Sequence, residues 1–218
     1  MILGVAFDLD GTLIDNADAL SVALSKAIGE FGYRAEPDEI RKYLGLSFYD
    51  IVSKFIKNPD RVLLEKIKET RKKYIIESIS SFRIFPDALY ALKALKELGV
   101  KSAVATSLGK DLVDFVIKNL KLDSYLCCWV TVDEVKKPKP EPHVFLKAME
   151  LMQVKPESCI AVGDREYDVL AGKKAGSLTA LVLRDSFSVY EKIKPDYIFK
   201  SLEELPDIIR PPRSPEKK

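Results

Sequence analysis

One histidine, one tryptophan, three cysteines and four Asn plus Gln side chains are all that this sequence of 218 residues holds of those types. With a single histidine and no CxxC pair, a zinc site of the His/Cys kind is not expected. Cys127, Cys128 and Cys159 are odd in number and two are adjacent, so a disulfide framework is not expected. No apolar run approaches the roughly 18 residues of a membrane span, so no membrane partner is expected. Charge of one sign is also missing. Thirty-five Lys+Arg against 33 Asp+Glu give +2, too even a balance for a protein that lives on nucleic acid. MILGVAFDLD has neither a basic leader nor a small-residue cleavage site, which makes a cytoplasmic location the expectation.

Hydrophobic residues make up 47% of the chain, enough to build a core. They come in short apolar runs, and most runs are followed by an amphipathic stretch. Ile2–Phe7, Ser102–Ala105, Trp129–Val132, Cys159–Val162, Leu178–Leu183 and Tyr197–Phe199 read as buried strands. Pro86–Leu98, Asp111–Leu120, Pro142–Met152 and Glu166–Ala175 read as helices, two of them closed by Gly99 and Gly176. This alternation predicts an α/β fold, a doubly wound parallel sheet of Rossmann-like type with helices on both faces.

The rhythm breaks from Asn16 to Ser81, where no strand is predicted. Ala17, Leu20, Leu24, Ala27, Ile28 and Phe31 keep helical spacing, and Pro37–Leu44, Ser47–Ile56 and Asp60–Ser81 read as further helices. Such an interval is too long for a βα crossover. It predicts an inserted helical-bundle cap over 16–81 on a core of 1–15 and 82–210. The proline- and charge-rich tail 211–218 is expected to be disordered.

Four polar clusters fall at or just past the C-terminal ends of predicted strands: Asp8-Leu9-Asp10-Gly11-Thr12, Thr106-Ser107, Lys137-Pro138-Lys139-Pro140 and Gly163-Asp164-Arg165-Glu166-Tyr167-Asp168. In a parallel sheet these ends share one edge, where ligand crevices form. Clustered carboxylates repel one another and call for a cation, and all-oxygen ligation favours Mg²⁺. Metal, lysine and loop amides together suit a dianion such as phosphate, and one aspartate could attack phosphorus as a nucleophile.

DLDGT, the hydroxyl of AVATS, KKPKPEP and GDREYD follow one another as do the four motifs of the haloacid dehalogenase superfamily. The chain resembles its phosphatases with an inserted α-helical cap, phosphoglycolate phosphatases in particular. The resemblance implies that Asp8 is the nucleophile and a Mg²⁺ ligand. It makes Asp10 the general acid/base, its backbone carbonyl also binding metal. Thr106, Ser107 and Lys137 would bind phosphate, Asp164 would be the second carboxylate on Mg²⁺, and Asp168 would support the site. Lys136 and Lys139 compete for the inward position; the superfamily's K-P-x-P spacing selects Lys137.

Other readings of the same residues are plainer. DxDGT could be an Asp-Gly turn, threonine often caps a helix, and GDxxxD could cap the helix after it. His143 falls in the first turn of a predicted helix, Cys127 and Cys128 are expected to pack at a strand start, and the Lys/Glu run of 60–73 reads as the wet face of a helix. In the cap, Arg41, Lys42 and Ser47 occupy the place where relatives put a substrate-facing loop. The expected partner is a small phosphorylated metabolite. A β-phosphoglucomutase-like phosphomutase is the alternative activity, and a non-hydrolytic phosphoacceptor module is the alternative of another class. A dehalogenase is disfavoured, since such relatives lack the carboxylate of Asp10.

Overall fold

The computed structural model describes residues 1–184 and 193–210; the tail 211–218 lies outside them. In chain order the elements are β1 (Gly4–Phe7), β2 (Ile14–Asp15), α1 (Ala17–Gly29), α2 (Pro37–Arg41), α3 (Phe48–Val52), α4 (Arg61–Glu77) and β3 (Arg83–Ile84). Then follow α5 (Pro86–Glu97), β4 (Lys101–Ala105), α6 (Lys110–Asn119), β5 (Cys128–Val130), α7 (His143–Met152) and β6 (Cys159–Gly163). α8 (Glu166–Ala175), β7 (Leu178–Val182), β8 (Tyr197–Phe199) and α9 (Leu205–Ile209) follow among the described residues.

Six strands form one parallel sheet in the order β5-β4-β1-β6-β7-β8. Side chains alternate across it. Val5, Phe7, Val104, Ile160 and Val162 enter one buried cluster with α5 and α6. Ala6, Ala103, Ala105, Val130 and Ala161 enter another, with α7 and α8. The sheet is therefore covered on both faces, as the alternating pattern predicts. Its central strand β1 is the point where the winding reverses, so a crevice opens beyond Phe7. Asp8 follows immediately.

The interval without sheet strands holds α1–α4. Leu20, Leu24 and Ile28 of α1 and Ile67 and Ile75 of α4 are buried in the same cluster as the neighbouring face of the sheet. Asp60 starts α4 by accepting the Leu63 N–H at 2.7 Å, and Ser47 starts α3 by accepting that of Asp50 at 3.2 Å. The predicted helices over 37–44 and 47–56 are shorter in the structure, five residues each. One feature has no counterpart in the sequence reading. β2 and β3 pair antiparallel, Ile14 with Ile84 and Asp15 with Arg83, where the chain leaves and re-enters the sheet domain. Two-residue strands carry no readable period. Among the described residues no helix is long and apolar enough to cross a membrane.

Candidate active site

β1 delivers Asp8 to the crevice, and the Asp8 N–H extends the sheet by donating to Val162 O at 2.8 Å. The chain then turns sharply. Gly11 has φ +81°, and a Cβ there would lie 2.7 Å from Asp164 Oδ2, so only glycine allows the loop both its turn and its approach to the neighbouring carboxylate. Thr12, buried, donates to Asp164 Oδ1 at 3.0 Å. The two aspartate motifs are thus joined by a hydroxyl that the sequence reading did not single out.

The fourth motif is set by the start of α8. Asp168 Oδ2 accepts the Arg165 N–H at 3.1 Å, which turns the Asp168 side chain back across Gly163. A Cβ on Gly163 would come within 2.2 Å of Asp168, which explains the glycine opening this motif. Arg165 Nε meets Asp164 Oδ2 at 3.0 Å, with both side chains buried.

The lysine of the third motif is Lys139, a correction to the expectation for Lys137. Lys139 is 1% exposed. Its ammonium donates to Asp8 Oδ1, to Asp168 Oδ1 at 2.7 Å and to Ala105 O at 3.2 Å. Lys137 is exposed on the same loop. The spacing misled because Lys137-Pro138-Lys139-Pro140 and Lys139-Pro140-Glu141-Pro142 both satisfy K-P-x-P. Burial among carboxylates selects the second. Burial alone would lower the Lys139 pKa, but Asp168 and Asp8 outweigh it and hold the group protonated.

Asp10 stands at the edge of the crevice, partly exposed. Asn16, at the entry to α1, donates to its Oδ1 at 2.6 Å, and Thr106 lies 3.5 Å from its Oδ2. Asn16 was not anticipated; it lies beyond the motif and its role is visible only in the fold. Burial raises the Asp10 pKa, opposed by Asn16, Arg71, Lys139 and Thr106. Burial also raises that of Asp8 strongly; Lys139 opposes, while Asp168, Asp164 and Asp10 add to the rise. The Thr106 hydroxyl is held from behind by the Leu108 N–H at 3.1 Å, and the Ser107 hydroxyl donates to Gly45 O at 2.9 Å.

Asp8, Asp164 and Asp168 present carboxylate oxygens within 4.8 Å of one another, all three buried. Together with Asp10 they make four carboxylates, and the cations bonded to them are Lys139 and Arg165. Buried carboxylates that cluster hard oxygen donors this closely fit a divalent cation such as Mg²⁺.

The helices between β2 and β3 close over this group. Asp8 and Asp10 line a chamber of about 30 Å³ with Leu44, Gly45, Phe48, Arg71 and Ser107 among its other walls. Beside it lies a cavity of about 470 Å³, bounded by α3, α4, α6 and the loop after β5. Of the cap residues expected to face a substrate, Ser47 lines the larger cavity, its hydroxyl donating to Asp50 Oδ2 at 2.6 Å. Arg41 is paired with Asp18, and Lys42 with Glu39 at 2.5 Å; neither lines either cavity. Arg71 does line the small chamber, on the helix whose Lys/Glu run reads as the wet face. Its spacing of four from Ile67 and from Ile75 was the available signal.

Residues 5–182 match the family model described as haloacid dehalogenase-like hydrolase. The chain belongs to that family. A phosphoglycolate phosphatase of Aquifex aeolicus is 36% identical over 180 residues, 82% of this chain and 84% of its own. A pyrophosphatase PpaX of Anoxybacillus flavithermus is 31% identical over 219 aligned positions, 94% and 95% of the two chains. In fold the chain is similar to the crystal structure of a β-phosphoglucomutase from Clostridium difficile, with a TM-score of 0.81 at 20% identity, covering 94% of this chain and 93% of that one. The haloacid dehalogenase-like architecture expected from the motifs is thus present, and this family member is an enzyme of the phosphatase type. The convergence of Asp8, Asp10, Thr106, Asp164 and Asp168 at one sheet edge accounts for the motif order.

Proposed function

We propose that this enzyme is a Mg²⁺-dependent phosphomonoester hydrolase for a small phosphorylated metabolite, working through an aspartyl phosphate on Asp8. The observation that carries this reading is the placement of Asp8, beyond the switch-point strand, bonded to Lys139 and facing a chamber too small for bulk water. An Asp8 carboxylate oxygen attacks phosphorus; the new O–P bond forms as the ester O–P bond breaks. Asp10, whose pKa is raised by desolvation at the crevice, gives its proton to the departing alkoxide. It then takes a proton from the water that attacks the aspartyl phosphate, which regenerates Asp8 and releases phosphate. Lys139 and Thr106 offset charge on the transferring group, while Asp168 and Ala105 O hold Lys139 in place. Mg²⁺ held by Asp8, Asp164 and the Asp10 carbonyl would supply further charge neutralisation. Helices α1–α4 act as a cap that excludes water, with the β2–β3 ribbon as the joint about which it opens.

Hydrolysis is preferred to phosphomutase chemistry because the two relatives described above, at 36% and 31% identity, are named as a phosphatase and a pyrophosphatase. The likeness to the mutase, at 20% identity, speaks for fold alone. Phosphoglycolate is the first substrate to try, and pyrophosphate the second. The test is a phosphate-release screen over small phosphometabolites, with Mg²⁺ and with chelator. Release that depends on Mg²⁺ supports the reading; isomerisation of a sugar phosphate without release would replace it by the mutase.

A further inference from the structure

Each cation bonded at the catalytic edge has a carboxylate: Lys139 has Asp8 and Asp168, and Arg165 has Asp164. Across the cleft Lys72 has Asp111 at 2.7 Å. Arg71 differs. It is 7% exposed, on the face of α4 that carries Ile67 and Ile75, and its Nε is buried with no hydrogen-bond partner. Its guanidinium carbon lies 5.8 Å from the centre of the Phe48 ring, which orients the plane but neutralises no charge. Asp10 is within reach of its field, yet the bonds recorded to the oxygens of Asp10 come from Asn16 and Thr106. A buried guanidinium left in this state is unfavourable until an anion joins it.

Its position says which anion. Arg71, Phe48 and Ser107 line both the small chamber and the larger cavity. A chamber of about 30 Å³ has room for little beyond the reacting centre, so the rest of a substrate must extend past these three residues. We propose that Arg71 forms the subsite for a second anionic group, carboxylate or phosphoryl, carried on the leaving group of the substrate. The planar fork of arginine suits two oxygens of either group. This subsite rests on the phosphatase reading and narrows it: the preferred substrates are short and bear a negative charge at both ends.

The experiment measures kcat/KM for wild type, Arg71→Gln and Arg71→Lys with Mg²⁺ on three compounds. 2-Phosphoglycolate offers a carboxylate, pyrophosphate a second phosphoryl group, and p-nitrophenyl phosphate a leaving group with no second anionic substituent. Melting curves of both variants report folding, and Arg71→Lys serves should the glutamine variant not fold. The expected result is a loss of about 100-fold for Arg71→Gln on whichever anionic compound wild type prefers, and under tenfold on the aryl phosphate. Arg71→Lys falls between. Equal losses on all three compounds, an unshifted ratio, or a wild type that prefers the aryl phosphate to both others overturns the subsite. A wild type inert toward all three sinks the phosphatase reading, and the subsite with it.

Discussion

Lys139 Nζ donates to Asp168 Oδ1 at 2.7 Å, joining the loop after β5 to the first turn of α8 across 29 residues of sequence. The same ammonium bonds Asp8. One buried charge therefore ties three of the four motifs together. Removing it leaves carboxylates facing one another without a counter-ion, a change that costs about 3–5 kcal/mol for buried pairs. Lys139→Ala is expected to lose phosphatase activity by at least two orders of magnitude and to melt earlier. Lys137→Ala, at an exposed position, should stay within about twofold of wild type and keep its melting temperature. Steady-state rates and thermal melts of the two variants check this, and a larger loss for Lys137→Ala would return the role to that residue.

For Asp8→Asn the two readouts should part. Turnover of an aryl phosphate is expected to vanish, because an amide does not form the aspartyl phosphate. Stability of the metal-free protein should hold or rise, since burial and the neighbouring Asp168, Asp164 and Asp10 raise the Asp8 pKa against Lys139, and Lys139 keeps its bond to Asp168 in the variant. Near-normal turnover would remove Asp8 from the nucleophile's role.

Asp10→Asn should leave the first half of the reaction slow and the second slower. The prediction is less than about one-hundredth of wild-type turnover, with a single phosphoryl adduct on the protein after acid quench, read by intact mass. Normal turnover without an adduct would refute the acid/base assignment.

The carboxylate group predicts a metal requirement. Chelator should abolish turnover and Mg²⁺ restore it. In Asp164→Ala the Mg²⁺ concentration for half-maximal rate is expected to rise by about tenfold or more. Removing Thr12, which holds Asp164 at 3.0 Å, should move the same midpoint less. Full activity in chelator would argue against a cation at this site.

Away from the site, Asp87 sets an acid limit on stability. Burial would raise its pKa, but Arg184 at 2.8 Å, the Leu202 N–H at 2.8 Å and the Ala88 N–H at 2.8 Å outweigh it and hold the carboxyl below its ordinary value. Arg184 also donates to Thr12 O at 2.9 Å, so the network braces the turn behind the site. A lowered folded pKa means stabilisation that is full above the unfolded carboxylate value and lost as pH falls through the folded one. Asp87→Asn should therefore cost about 1.5–3 kcal/mol at neutral pH. The gap from wild type should close in acid, below the ordinary carboxylate range. Denaturant melts at several pH values measure it, and a gap independent of pH would show the charge to be idle.

Much was legible from the chain because it is written locally. Strand–helix alternation follows from apolar period, and the parallel sheet with its covered faces follows from the alternation. Asp8, Asp10, Thr106 and Asp164 were readable because each stands next to a strand end, and a parallel sheet collects such ends on one edge. Gly11 and Gly163 mark the close approaches that let these loops meet. What the chain alone did not resolve was the facing of residues in loops and in the inserted helices. Lys137 and Lys139 have the same chemistry and the same spacing to proline; only enclosure by Asp8 and Asp168 tells them apart. Arg41, Lys42 and Arg71 are equally basic in sequence. The first two pair with Asp18 and Glu39 and line neither cavity, and the packing of α4 turns the third toward Asp10. The sequence by itself determined the sheet and the edge on which its carboxylates gather, since these depend on local pattern. Tertiary structure decided which cations join them, because burial and charge pairing arise only where distant segments meet.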